Sequence, residues 1–311
     1  MQSVLAPAGV QAAEIAWLWW VMLAVCAAVF VVVLLFVGAG LHRASRRNAP
    51  APTPERRLHR AIGGATALTI LTLMGLLTAA IATGRAVQSL DGASALPVII
   101  VGNQWWWAIE YALPNPAERV RVANELRLPR GRTVSITLGS NDVIHSLWIP
   151  NLHGKVDLIP GRQNVMVLRA DRVGEFRAQC AEYCGTQHAH MAFTVTVVEP
   201  AAFDAWLVAQ REPAREPVDA VARRGRQLVE STTCMMCHTV RGTLAGARIA
   251  PDLTHVGSRP TLAAGVLPNT DEALDMWLRD PQAVKPGNKM PVPGLSDDDR
   301  RAVVAYLRGL K

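Results

Sequence analysis

At 311 residues, 50% of them hydrophobic and with a formal net charge of +7, the chain is too long for one small domain and too apolar for an ordinary soluble one. Its five cysteines are too few for a disulfide scaffold. The positive charge is concentrated in one short loop, which makes nucleic-acid binding a poor explanation for it.

The predicted elements begin with a short N-terminal segment, residues 1–14. It carries no signal-peptide pattern, which leaves insertion to the first apolar run or to a presequence. Residues 15–41 and 61–84 are free of charge, and each run exceeds the ~20 residues that cross a bilayer. Buried core helices are the alternative, and two charge-free runs of this length argue against it. Trp17, Trp19 and Trp20 suit an interfacial aromatic belt at the start of the first run. Cys26 lies inside that run and is expected to pack as a small apolar residue. The intervening loop, residues 42–60, holds Arg43, Arg46, Arg47, Arg56, Arg57 and Arg60 together with Pro50, Pro52 and Pro54. No Lys or Arg precedes the first run. The positive-inside rule therefore puts the loop in the cytoplasm and both termini across the membrane.

Residues 85–199 read as an all-β domain. Residues 98–101, 133–138, 164–168 and 193–198 are β-branched or apolar and are separated by Gly, Pro and Asn signals. The alternation in Trp105-Trp106-Trp107 predicts at least one buried ring. The chemistry lies in Cys180-x3-Cys184-x3-His188-x2-Met191, with His145 upstream. Two thiolates, two imidazoles and a thioether are soft donors that select copper, zinc or iron–sulfur over magnesium or calcium. Two thiolates can bridge two coppers, each of which then takes one imidazole. Met191 suits a weak axial position, and a backbone carbonyl can serve the other copper. A tetrahedral Cys2His2 zinc site is an alternative that leaves Met191 unused. A Cys180–Cys184 disulfide is another. His42, His153 and His190 have no evident partner and are expected at the surface.

Residues 200–219 read as a linker, and residues 220–311 as a helical domain. Ala222, Gly225, Leu228 and Val229 share one face ahead of Cys234-x2-Cys237-His238, the attachment signature of c-type haem. The two thiols form thioethers, and His238 can reach the iron. A thioredoxin-like pair or a chance match is the alternative. Met290, in the Pro-flanked segment 287–293, is the predicted opposite ligand, and a Met ligand raises the haem potential. Met235 and Met236 lie inside the attachment loop, Met276 is expected in the core of a helix over residues 271–279, and His255 competes with Met290. Ser296 looks like the N-cap of a last helix with Asp297, Asp298 and Asp299 in its first turn.

The pattern Cys180-x-Glu182-x-Cys184-x3-His188-x2-Met191 after His145, together with the segments 102–107, 145–150 and 155–162, resembles subunit II of haem–copper cytochrome c oxidases over residues 15–200. Residues 250–259 resemble the loop of small c-type cytochromes whose proline carbonyl orients the proximal histidine. The resemblance implies a cupredoxin-type Greek-key barrel. It puts His145 and Met191 on one copper, and His188 and the Glu182 carbonyl on the other. It places the Glu182 side chain at a magnesium shared with the catalytic subunit, and Trp105 as the exposed ring through which electrons enter. It gives Pro251 the task of holding His238. Asp157 is read as a group behind the ligands of the copper or magnesium, with a solvated strand-end carboxylate as the alternative. Two departures stand out. The family's second membrane helix often opens with a carboxylate shortly before a Trp, whereas residues 57–64 hold neither, and Glu55 is expected outside the helix. Asn103 stands where the family often has His.

The expected fold is multidomain: a two-helix transmembrane hairpin, an all-β cupredoxin-like domain and an all-α c-type cytochrome domain. The resemblance implies an electron-entry subunit of a respiratory, proton-translocating oxidase in a bacterial inner membrane, with its metal domains on the outer side. Electrons would pass from an external donor, a cytochrome c or an upstream respiratory complex, through haem c and a dinuclear copper centre to subunit I, with subunit III as a further partner. The alternatives are the entry subunit of a copper-containing nitric oxide reductase and a stand-alone membrane-anchored electron carrier. A copper chaperone is disfavoured because bridging thiolates hold both metals firmly, and nitrous oxide reductase because the chain has no room for its second copper domain.

Overall fold

Two long helices, α1 (Val10–Ser45) and α2 (Glu55–Val87), dominate the N-terminal part of the computed structural model, which describes residues 2–46 and 54–311. Arg47, Pro50 and Pro52 of the predicted loop lie outside the described residues. At ~1.5 Å per residue, α1 is about 54 Å long, well beyond a ~30 Å hydrocarbon core. Phe30, Leu35 and Phe36 on α1 and Leu68 and Leu71 on α2 are all exposed. Among the described residues nothing covers these apolar faces, and both helices are long and apolar enough to cross a membrane. Glu55 was expected outside the second helix. Glu55 lies in the helix, as its first residue, because Pro54 holds an extended backbone (φ −54°, ψ 128°) that stops the helix upstream. The Glu55 carboxylate then complements the positive end of the helix dipole. An acid therefore does open α2.

Residues from Leu90 onward form a separate compact unit with the N-terminal residues up to Ala12. Its first part is a sandwich of two five-stranded sheets. The strands are β1 (Leu96–Asn103), β2 (Trp106–Tyr111), β3 (Val120–Ala123), β4 (Glu125–Pro129), β5 (Thr133–Ser140), β6 (His145–Trp148), β7 (Val156–Leu158), β8 (Asn164–Arg169), β9 (Gly174–Cys180) and β10 (Ala192–Val198). One sheet has the order β3-β2-β1-β5-β8 and the other β4-β10-β9-β6-β7. The β1–β5 and β4–β10 pairs are parallel, so the chain crosses between sheets there. Strand alternation sends Leu96, Val98, Ile100, Ile136 and Leu138 inward, where they meet Trp107 and Phe193. Trp107 is the fully buried ring of the tryptophan triplet.

The predicted linker is shorter than expected. Pro200–Ala209 is a helix, α3, whose Phe203 and Leu207 are buried in the sandwich core. Tyr111 stacks on Phe203 and Trp206, with centroids 5.9 and 5.3 Å away. Its hydroxyl donates to the Arg127 carbonyl, 2.8 Å away.

The C-terminal part is helical: α4 (Ala220–Ser231), α5 (Cys234–Cys237), α6 (Asp271–Arg279), α7 (Pro281–Val284) and α8 (Asp297–Gly309). Asp219, Thr270 and Ser296 cap α4, α6 and α8 by accepting from the backbone N–H groups of Ala222, Ala273 and Asp299. Met276 is exposed, because Ala273, Leu274 and Leu278 take the buried face of α6. Helices α4 and α8 touch at Gly225, where a Cβ would lie 2.0 Å from the Ala302 carbonyl oxygen and 2.8 Å from Tyr306 Cβ. Gly225→Val should therefore destabilise this part by at least about 3 kcal/mol, the upper range for overpacking. Denaturant unfolding monitored by circular dichroism checks this, and an unchanged midpoint contradicts the contact.

Candidate copper and haem sites

The soft donors predicted from sequence converge at one edge of the sandwich. Cys180 ends β9, His145 opens β6, and the loop from Cys184 to Met191 returns over them. Cys180 and Cys184 sulfurs are 3.8 Å apart, far from the ~2.05 Å of a disulfide. His145 Nδ1 lies 3.9 Å from Cys180 Sγ, and His188 Nδ1 3.6 Å from Cys184 Sγ. Met191 Sδ is 3.8 Å from Cys184 Sγ and fully buried, so the thioether belongs to the cluster that a Cys2His2 zinc site leaves without a thioether role. The Glu182 carbonyl oxygen lies 3.2 Å from Cys180 Sγ. Only glycine fits at position 102, because a Cβ there would sit 2.7 Å from the His145 ring.

The electrostatics suit a bound cation. The contact with Cys184, then His145 and nearby backbone groups, holds the Cys180 thiol well below its ordinary pKa. The same contact, then burial, holds Cys184 well above its own. Two thiolates so close repel, and bound cations reverse that penalty. Burial opposes protonation of His145, but Cys180 and Asp142 outweigh it, and its pKa rises. Asp142 is the residue that sequence reasoning missed. Its Oδ1 accepts from His145 Nε2 at 2.8 Å, which leaves Nδ1 to face the sulfur. A carboxylate behind a metal-binding imidazole fixes ring and tautomer, and the signal was its position three residues before His145. Asp157 reaches the cluster only through its neighbour, accepting from Ser146 Oγ at 2.8 Å.

The haem motif opens onto a cavity of about 690 Å³ lined by Cys234, Cys237, His238 and Met290. That volume is within the usual range for cofactor sites. Its walls are apolar at Leu274, Leu278 and Leu307. Thr261 Oγ1, also on the wall, is buried without a hydrogen-bond partner among the described residues, as if awaiting a polar edge. His238 Nδ1 donates to the Pro251 carbonyl at 2.7 Å, so Nε2 keeps its lone pair. Burial, against that carbonyl, lowers the His238 pKa and keeps the ring neutral, as iron ligation requires. His255 lies off the cavity wall, with Nε2 3.2 Å from the Glu212 carbonyl.

Comparison with known proteins fits both sites. Residues 113–198 match the family described as cytochrome C oxidase subunit II, periplasmic domain, and residues 222–311 match cytochrome c. Successive stretches of the chain thus match a cytochrome c oxidase subunit II periplasmic domain and a cytochrome c domain. It is 40% identical over 221 residues to cytochrome c oxidase subunit 2 of Alkalihalophilus pseudofirmus, covering 71% of this chain and 63% of that protein. It is 35% identical over 228 residues to cytochrome c oxidase subunit 2 of Bacillus subtilis, covering 70% and 63%. The chain thus spans less than two thirds of these relatives' own length. The crystal structure of the periplasmic domain of subunit II of cytochrome oxidase from Bradyrhizobium japonicum is 28% identical, with TM-score 0.35, covering 37% of this chain and 93% of that one.

The subunit II domain and the cytochrome domain meet at Trp105. This ring was expected to be exposed, but it is buried, because the cytochrome domain's Gly287 lies against it: a Cβ on Gly287 would be 3.6 Å from the ring. On its other side, a Cβ on Gly185 of the ligand loop would be 2.9 Å away. Trp105 Nε1 donates to the Cys184 carbonyl at 2.9 Å, and Gln104 Nε2 donates to the same oxygen at 2.8 Å. Trp105 also lines the cavity that holds His238 and Met290. Around it, Gln187 Nε2 donates to the Pro286 carbonyl at 2.9 Å, and Ala192 N donates to the Ala264 carbonyl at 3.1 Å. Arg259 pairs with Glu125 at 3.2 Å, and Lys289 with Asp142 at 3.2 Å. Lys285 of the cytochrome domain is buried among these contacts, and burial pushes its pKa down to about 7.

Proposed function

We propose that the chain is the electron-entry subunit of a haem–copper cytochrome c oxidase. When bound, haem c and a dinuclear copper centre carry single electrons, from an external donor such as a cytochrome c or an upstream respiratory complex to the oxygen-reducing subunit I. Cys234 and Cys237 would hold the haem through thioethers, His238 and Met290 would supply imidazole and thioether ligands to its iron, and Pro251 would fix the His238 ring. Cys180, Cys184, His145, His188, Met191 and the Glu182 carbonyl would hold the coppers, supplying thiolate, imidazole, thioether and carbonyl donors. The Glu182 carboxylate, a hard oxygen donor of the kind magnesium takes, would reach a magnesium shared with subunit I. Subunit III would be a second protein partner. Helices α1 and α2 would anchor the chain in the lipid bilayer of a bacterial inner membrane, with the arginine-rich loop in the cytoplasm.

One observation carries this reading. Trp105 lines the haem cavity and at the same time donates to the carbonyl of Cys184, so one side chain spans the space between the two sites. The intact complex, purified from membranes, should contain subunit I and consume oxygen when supplied with reduced donor. Consumption of nitric oxide without oxygen would point to the nitric oxide reductase instead, and a chain that purifies alone with no gas consumption would point to a carrier.

The axial assignment has its own test. In the haem-loaded chain, Met290→Ala should abolish the weak long-wavelength band of thioether ligation, while His255→Ala keeps it. A band that survives Met290→Ala contradicts the assignment.

A further inference from the structure

The chain has four lysines, and Lys285 is the one that water does not reach, at 2% exposed. An ammonium carries three N–H donors, and three carbonyls receive them. Trp105 O and His190 O lie 2.7 Å from Nζ, and Ala263 O lies 2.9 Å away. Ala263 belongs to the cytochrome domain, as Lys285 does. Trp105 and His190 belong to two different loops of the subunit II domain, the first hydrogen-bonded to Cys184 and the second next to Met191. Lys285 also begins the segment that runs through Gly287, which packs on Trp105, to Met290. Burying an ammonium is unfavourable unless each donor is satisfied, and here both domains are needed to satisfy it. If the domains separated, the ammonium would lose two of its three acceptors.

We propose that Lys285 is a positioning residue for haem-to-copper electron transfer, a latch that ties the Met290 loop to the backbone of Trp105 and His190 so that the two domains work from one fixed, docked arrangement. The inference rests on the electron-relay reading above. It differs from the pairing of exposed charges such as Lys289 with Asp142, because the ammonium is buried and its acceptors are backbone carbonyls.

The full-length chain, loaded with copper and haem, tests this. With acetic anhydride as probe and mass spectrometry as readout, Lys285 should stay unmodified in the native chain while the exposed Lys155 and Lys289 react. Lys285→Met should leave the copper hyperfine pattern and the haem thioether band in place. It should speed exchange of the Ala192 amide, which donates across to Ala264, by on the order of 10-fold or more, the scale of leaving buried carbonyls unpaired. Flash-initiated haem-to-copper transfer should slow by a similar factor and become dependent on ionic strength, because the unlatched domains must find each other through their charges. A purely structural role for Lys285 would alter the two cofactor spectra and would not create a salt dependence. Should Lys285→Met fail to load its cofactors, Lys285→Gln, whose amide has two donors, takes its place. Acetylation of native Lys285 as fast as Lys289, or unchanged exchange and rate in the loaded variant, overturns the latch. If native Lys285 is protected and the variant speeds Ala192 exchange, but the native chain passes no electron from haem to copper, the docking stands and the relay falls.

Discussion

Cys184→Ser should remove the copper pair. Cys184 Sγ is the sulfur that touches most of the cluster, 3.8 Å from both Cys180 Sγ and Met191 Sδ and 3.6 Å from His188 Nδ1. A serine hydroxyl neither ionises there nor offers a soft donor. Changes to groups behind a metal ligand already cost about 10–100-fold in metal affinity or activity, and loss of a bridging ligand should exceed that range. The native chain should give the seven-line hyperfine pattern of an electron shared over two coppers, and Cys184→Ser should lose it. Asp142→Asn is the milder control. It keeps every ligand but weakens the hold on the His145 ring, so copper should stay bound with a perturbed spectrum. A native chain that contains one zinc and no copper contradicts the assignment.

Trp105→Ala should give the second large effect, on electron transfer. The ring fills the space between Gly185 on the ligand loop and Gly287 on the cytochrome loop, and its Nε1 binds the Cys184 carbonyl. Truncation removes that bridge and opens a cavity worth roughly 3–5 kcal/mol if nothing relaxes. The transfer rate should fall on the order of 100-fold, the scale of an ångström-sized misplacement, while the copper spectrum is retained. Trp105→Phe separates the causes, because it fills most of the space without the N–H donor. Its stability should stay near native while transfer slows. A native rate in Trp105→Ala would reduce Trp105 to a core residue.

Much of the candidate site was legible in sequence because the residue types able to hold a metal or a haem recur at close spacing. Cys180, Cys184, His188 and Met191 fall within 12 residues, and Cys234, Cys237 and His238 within five. What escaped depends on the other domain or on backbone. The resemblance made Trp105 an exposed ring, and the surface that covers it, around Gly287, lies far along the chain. Lys285 carries no cue in the sequence, since the carbonyls it binds belong to Trp105, His190 and Ala263 and leave no mark there. Residues 200–209 read as linker because the cue lay in Phe203 and Leu207, whose partners sit in strands formed much earlier. Glu55 was read as outside its helix because the charge-free run begins later, whereas the helix starts at the proline stop.

The central claim is that the fused cytochrome domain delivers electrons to the copper site through a docked contact at Trp105. The most direct test is flash reduction of the loaded full-length chain, following haem oxidation and copper reduction together. The account predicts that the two proceed with one rate, independent of protein concentration and nearly independent of salt. Reduction of haem and copper by the external donor as separate events, with no transfer between them, would contradict it.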